Sequence, residues 1–413
     1  MSNHIESILK NPPWSQQARP TSAEGWLARA EQVADILAVD QVERDQVQAV
    51  PHAEVRLLKE SGLTTLLGPV QHGGAGQRWE TAYRVIRTVA SGDGSIGQLL
   101  AYHYLWAWAV RLVGTPEQID AVEALYTSNN LFFGGAVNPR DGDLVITEVD
   151  GKLHFNGRKS FSTGSKISDL TVLEGVLAGT DKHIFAIVPS KQDGIVYHDD
   201  WNHLGQRLSE SGGVTIKDVV VDWSGAAGYV DKVYQSRPYE TLNLPAIQQV
   251  FTEFYLGIAQ GALKKASVYT REKTRAWPYG GDNKASASEE WYILETYGSL
   301  QSRLWAAEAL ADAAGAELAG LLHADRDAVT PQQRGEVAVR VAAAKQLAVD
   351  LGLDIGTKVF EVTGARATSN KIGLDIYWRN IRTHSLHDPI AYKRREVGAF
   401  ALLGQIPEPS WYT

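Results

Sequence analysis

"DLVITEVDGKLHFNGRKSF", residues 143–161, interrupts a chain that is otherwise patterned for helices. Apolar and polar residues alternate through it, β-branched residues are frequent, and an Asp-Gly pair divides it. Such a run reads as short strands joined by a tight turn. "LTVLEGVLAG", "HIFAIVPS" and "GGVTIKDVVVDW" follow in the same style, set apart by Asp-Gly, Asn-Gly and similar turn pairs. The spacing predicts a compact β-barrel or sandwich of roughly a hundred residues, between about 130 and 234.

On both sides apolar residues return at helical spacing. "AEVRLLKESGLTTLL" and its successors occupy the N-terminal part, broken by Gly and Pro at "GPVQHGGAG". Three long stretches, opening at "IQQVFTEFY", "SEEWYILET" and "TPQQRGEVAV", are each long enough for a bundle helix. Thr330-Pro331 supplies an N-cap and a first-turn proline, and a last helix is expected from near Pro389 to just before Gly404. The fold class is therefore α+β, with three interlocked parts: an N-terminal α-helical domain (20–129), a central β domain (130–238) and a C-terminal helical bundle (239–413).

Composition narrows the function. Hydrophobic content of 44% and charged content of 21% over 413 residues are those of a globular protein. The formal charge of −8 disfavours nucleic acid or an anionic membrane as a partner. "IGQLLAYHYLWAWAV" (96–110) is interrupted by Gln98 and His103 and is short for a bilayer, so it reads as a buried helix. No basic-then-apolar leader opens the chain, and a cytoplasmic location is expected. Cysteine is absent, which excludes disulfides, thiolate metal sites and cysteine nucleophiles, and the only methionine is Met1. Leu, Ile and Val can replace Met in a core at modest cost, so compositional drift is one account. Sulfur economy is the other: a protein made abundantly when sulfur is scarce, for sulfur acquisition.

Several motifs carry chemistry. "HGGAG" (72–76) follows no long buried strand and lacks a Gly-Lys-Ser/Thr ending, so it reads as a turn, and no nicotinamide fingerprint stands elsewhere. In "RTHSLHDP" (382–389), His384, His387 and Asp388 lack the further ligands a metal needs, so no metal is expected. Pro389 halts helical geometry at Asp388, and an imidazole at such a break suits proton transfer. A polar helix end is the competing reading. Arg271, Lys273 and Arg275 near a helix end are either solvated charges or an anion site. Ser162, Thr163 and Ser165 offer hydroxyls to a planar polar ligand, and Trp201 a flat indole to stack on it.

Taken in order, "SGLTTLLGPVQHGGAG", "LHFNGRKSFSTGSKISDL", "WNHLGQR" and "WRNIRTHSLHDP" resemble the acyl-CoA dehydrogenase superfamily over nearly the full chain. "DGSIGQLLAYH", "YLGIAQGAL", "FEVTGAR" and "YWRNIRTHSLHDP" together are similar to its flavin-dependent monooxygenase branch, typified by dibenzothiophene monooxygenase. The resemblance implies an acyl-CoA dehydrogenase-like fold with a four-helix C-terminal bundle, and a homotetramer. It implies reduced FMN from a separate NAD(P)H:flavin reductase, and O2 as oxidant. The implied reaction oxidises the sulfur of a small organosulfur compound through a C4a-hydroperoxyflavin, an alkanesulfinate such as methanesulfinate being the first choice. Alternatives are an aromatic or alkyl sulfide S-oxygenase, an FAD-dependent acyl-CoA dehydrogenase, and a non-catalytic flavin-binding protein.

By position, the resemblance makes His387 the proton donor, where dehydrogenases of the superfamily carry a Glu-Gly near this motif. It puts Tyr102 beside the flavin, Thr163 near flavin N5, and Trp201 against the isoalloxazine. His384 joins the catalytic set as a brace for the turn or the flavin, and Asp388 joins the cofactor contacts. Arg275 and Arg366 would bind the phosphate or ring from a neighbouring subunit. Two departures, Gln98 in place of His and Gly135 in place of Asn, point away from dibenzothiophene itself.

Overall fold

The computed structural model describes residues 3–138, 142–281 and 283–409. Its N-terminal part is helical: α1 (Asn3–Leu9), α2 (Ala23–Val39), α3 (Gln41–Val47), α4 (His52–Glu60), α5 (Trp79–Gly92), α6 (Gly94–Val113) and α7 (Pro116–Ser128). The Asp93 carboxylate accepts from the Ser95 and Ile96 amides and so caps α6 at its start. Buried on nearly every face, α6 is the apolar run that was too short for a membrane. Among the described residues no helix is long and apolar enough to cross one. His103, at its middle, is fully buried and bonded at both nitrogens: Nδ1 accepts from the Phe133 amide at 3.0 Å, and Nε2 donates to the Thr64 carbonyl at 2.7 Å. That ring ties α6 to the first strand of the β domain.

The strands are β1 (Phe133–Ala136), β2 (Leu144–Val149), β3 (Lys152–Lys159), β4 (Leu170–Leu177), β5 (His183–Pro189), β6 (Ile195–Tyr197) and β7 (Val214–Asp222), with a small ribbon of β8 (Tyr229–Val230) and β9 (Val233–Tyr234). β4 organises the sheet. Antiparallel β5 runs along one of its edges, while the other edge is shared end to end by parallel β1 and parallel β2. From β2 the sheet continues antiparallel through β3 and β7 to β6. Leu144, Ile146, Leu153, Phe155, Leu173 and Ile216 fill its own apolar core.

Asp150-Gly151 makes the β2–β3 turn, with φ of 50° and 76° as a primed hairpin turn requires. Asn156-Gly157 is no turn. It lies inside β3, where the pairing with β7 slips by one residue. Gly157 has φ 141°, and a Cβ there would stand 1.7 Å from the Asp143 carbonyl oxygen, so the bulge needs glycine.

The C-terminal part holds α8 (Asn243–Lys273), α9 (Trp291–Leu322), α10 (Pro331–Thr363), α11 (Asp375–His384) and α12 (Ile390–Leu403). Thr330 and Gln333 cap α10 reciprocally, and Gly404 ends α12 in the left-handed conformation. The two helical parts share one apolar core, with α5 packed along α8. Within that contact Arg87 donates to Glu253 at 2.7 Å and to Asp312 at 2.6 Å, joining α5, α8 and α9.

Candidate active site

A cavity of about 610 Å³ opens where the β domain meets both helical parts. α6 offers it Gln98, Tyr102, Leu105 and Trp106, a spacing that puts all four on one helix face. The first turns of α8 offer Leu244, Ile247 and Phe251, the β domain Thr163, Trp201 and Gln206, and the α11–α12 junction Arg382, His384 and His387. A larger, more open groove of about 1050 Å³ runs beside α2, α3 and the second half of α8; of the candidate residues only Lys273, from the possible anion site, lines it.

His384 is buried at the end of α11. Its Nδ1 lies 2.7 Å from the Tyr255 hydroxyl and its Nε2 3.2 Å from that of Tyr102. Burial, with the neighbouring His387 and Lys345 adding to it, holds its pKa well below the usual value. The ring is therefore neutral at pH 7, accepting a hydrogen bond from one phenol and donating one to the other. Burial also keeps the Tyr102 phenol protonated by raising its pKa. Phe251 stacks on Tyr102 with centroids 5.7 Å apart.

His387 has a different environment. Its side chain is 38% exposed, and its ring lies parallel to that of His384 at 5.7 Å. Asp388, expected among the cofactor contacts, is not on the cavity wall: its carboxylate meets Lys345 Nζ at 2.5 Å and His387 Nδ1 at 3.4 Å. Burial alone would raise the Asp388 pKa, but the His387 hydrogen bond and the Lys345 ammonium outweigh it and hold the carboxyl well below its usual range.

Across the cavity, Thr163 Oγ1 shares a hydrogen bond with Ser211 at 2.9 Å. Trp201 donates from Nε1 to the Gln206 carbonyl at 2.9 Å and stacks on His203 at 3.8 Å. The Gln206 amide is buried on the cavity wall with neither its oxygen nor its nitrogen bonded to protein. Such an amide calls for a planar ligand with donors and acceptors along one edge, which the pyrimidine side of a flavin provides. The flat indole and the cavity volume fit the same group.

Arg275 and Arg366 are elsewhere. Arg275 follows the far end of α8, and Arg366 donates to the Lys273 carbonyl at 2.5 Å. From Phe251 to Lys273 the helix rises about 30 Å. One copy of the chain cannot bring these arginines to its own cavity.

Sequence reading missed Trp106, Phe251, Gln206 and Lys345. The four-residue step from Tyr102 to Trp106 on a helix was a usable signal for the first. Gln206 stood inside the quoted "WNHLGQR" without a role assigned to it, and nothing in the local sequence marked Phe251 or Lys345.

Residues 28–122 match the sequence model of the acyl-CoA dehydrogenase N-terminal domain, and residues 249–391 that of its C-terminal domain. The chain belongs to the acyl-CoA dehydrogenase family. It is 36% identical to a probable FMNH2-dependent monooxygenase, SfnC, of Pseudomonas putida, across 98% of this chain and 100% of that one. It is 37% identical to the dibenzothiophene monooxygenase of Rhodococcus erythropolis, across 97% and 99%. The structure of the methanesulfinate monooxygenase MsuC from Pseudomonas fluorescens superposes with a TM-score of 0.90 at 36% identity, covering 94% of this chain and 99% of that one. Within the family, then, the chain stands with flavin-dependent monooxygenases.

Proposed function

We propose that this chain is the oxygenase of a two-component system that uses reduced FMN and O2 to oxidise the sulfur of a small organosulfur compound. The observation that carries the reading is the cavity wall itself: among its described residues there is no Asp or Glu, and imidazoles stand at the α11–α12 junction. A dehydrogenase needs a carboxylate to remove the substrate α-proton, and this wall offers none. An imidazole can supply a proton near neutral pH.

Reduced FMN, supplied by a separate NAD(P)H:flavin reductase, provides the electrons that activate O2. With reduced FMN as the two-electron donor, one atom of O2 would go to sulfur and the other to water, leaving FMN oxidised. Thr163, Trp201 and Gln206 hold and orient the ring. His384, bonded at both nitrogens, positions the Tyr102 phenol. His387 delivers the proton that lets oxygen depart as water, and the apolar wall of Leu105, Trp106, Leu244 and Ile247 keeps bulk water away.

For the substrate, Arg382 favours an alkanesulfinate such as methanesulfinate: it lines the cavity, and its buried Nε has no partner, leaving a cationic donor for an anion. A specific observation favours an aromatic sulfide as the second reading, namely the rings of Tyr102, Trp106 and Phe251 around the same space. A chain with no cysteine and a single methionine suits synthesis under sulfur scarcity, in the cytoplasm where reduced flavin is made.

The remoteness of Arg275 and Arg366 supports a homotetramer in which a neighbouring copy supplies them, and sedimentation velocity reads that assembly directly. The deciding experiment is a panel of sulfinates, sulfides and sulfones with FMN, a flavin reductase, NADH and O2. Product from at least one is expected, and turnover of none would end the proposal.

A further inference from the structure

Behind His387 lies a charged pair that this reading leaves without a task. Lys345, on α10, and Asp388 have side chains only 1% and 7% exposed, with Nζ and Oδ1 2.5 Å apart. Burying two charges costs about what their attraction returns, so such a pair is a poor stabiliser and asks for another explanation.

The geometry supplies one. The same Oδ1 that accepts from Lys345 faces His387 Nδ1 at 3.4 Å. An ionised carboxylate can only accept, so the nitrogen turned toward it must carry the proton. Nε2 is then the nitrogen left for the cavity that the ring lines. The other oxygen, Oδ2, is buried with no partner at all. A carboxyl so thinly supported would take up a proton without an adjacent cation, and once protonated it could donate to Nδ1 and release the tautomer. Phe251 presses edge-on against His387 at 5.0 Å and lies under Lys345 Nζ at 5.4 Å, so one ring packs both ends of the arrangement.

We propose that Lys345 is a positioning residue: by keeping Asp388 ionised it holds the His387 imidazole with Nδ1 protonated, so that Nε2 faces the cavity as the nitrogen that takes up a proton and then delivers it there. The proposal rests on His387 being the proton-handling group of the oxygenase. Through this chain, a residue 43 positions upstream of Asp388 and out of contact with the cavity controls the state of the group that acts in it.

Magic-angle-spinning ¹⁵N spectra of histidine-labelled, flavin-free enzyme at pH 7 read the tautomer directly, with the His387 signals assigned by their loss in His387→Gln. The neutral His387 ring of the wild type should show one tautomer, protonated at Nδ1. Lys345→Met and Asp388→Asn should each give a mixture. The double variant Lys345→Met/Asp388→Asn removes both charges, so it should regain the thermal stability that Lys345→Met loses. It should nevertheless keep the mixed tautomer, with product per flavin oxidised about 10- to 100-fold below wild type, the range for losing a partner that orients an imidazole. An unchanged His387 spectrum in Asp388→Asn would overturn the proposal. So would a double variant that regained coupling along with stability, because the pair would then be structural only. If the wild type oxygenated no sulfur compound, the functional reading would fall by itself, and the spectra would still decide what the pair does to His387.

Discussion

His387→Ala should leave folding and reduced-FMN affinity nearly intact, because the side chain is partly exposed and packs against rings that stay in place without it. Product formation should fall by about 10²-fold or more, the usual worth of one general acid. Hydrogen peroxide should rise in the same reaction, since oxygen then leaves without reaching sulfur. Peroxide and sulfur product measured together check this, and full coupling in the variant would make the junction a polar helix end. His384→Ala should behave differently. It leaves the hydroxyls of Tyr102 and Tyr255 facing a buried hole, so the melting temperature and flavin affinity should suffer first.

Among the elements, β3 shows best how one residue type sets local structure. Gly157 occupies a conformation that L-residues rarely adopt, against a carbonyl that a methyl group would overlap. Gly157→Ala should destabilise the protein by more than about 1 kcal/mol, because both strain and clash must be relieved. Denaturant unfolding followed by near-ultraviolet circular dichroism would measure it, and an unchanged midpoint would show that the bulge relaxes freely. β3 runs directly into the segment bearing Thr163, so a milder loss of flavin affinity should accompany the destabilisation.

Over the whole molecule, buried and half-buried histidines set how the protein tolerates acid. Burial lowers the pKa of His103 from 6.5 to about 4, and that of His323 likewise to about 4. Both accept a backbone amide, His103 from Phe133 and His323 from Trp79 at 3.2 Å, and neither bond survives protonation. The unfolded chain binds these protons near pH 6.5 and the folded one does not. Stability is therefore fully present above about pH 6.5 and drains away as pH falls toward 4, His103 alone accounting for roughly 3 kcal/mol. Melting temperatures across that range should fall steadily with acidity, and His103→Gln should flatten the slope while lowering the plateau. A melting temperature level from pH 7 to 4.5 would contradict this.

The amino-acid pattern alone determined the order of helical and strand-rich parts, the capped start of α10 at Thr330 and the end of α12 at Gly404. These features depend on neighbours two to four residues apart, which periodicity and capping chemistry report directly. It also singled out "RTHSLHDP", because a proline break after two histidines is a local event. Even locally it erred once, taking Asn156-Gly157 as a turn pair, since the same dipeptide serves a bulge when a partner strand continues past it. Only the tertiary structure decided that His384 and His387 have opposite environments. Tyr102 reaches His384 across 282 positions of sequence, and Lys345 reaches Asp388 from another helix. Such contacts arise from how helices pack, and the burial that sets each group's protonation is a property of the assembled core.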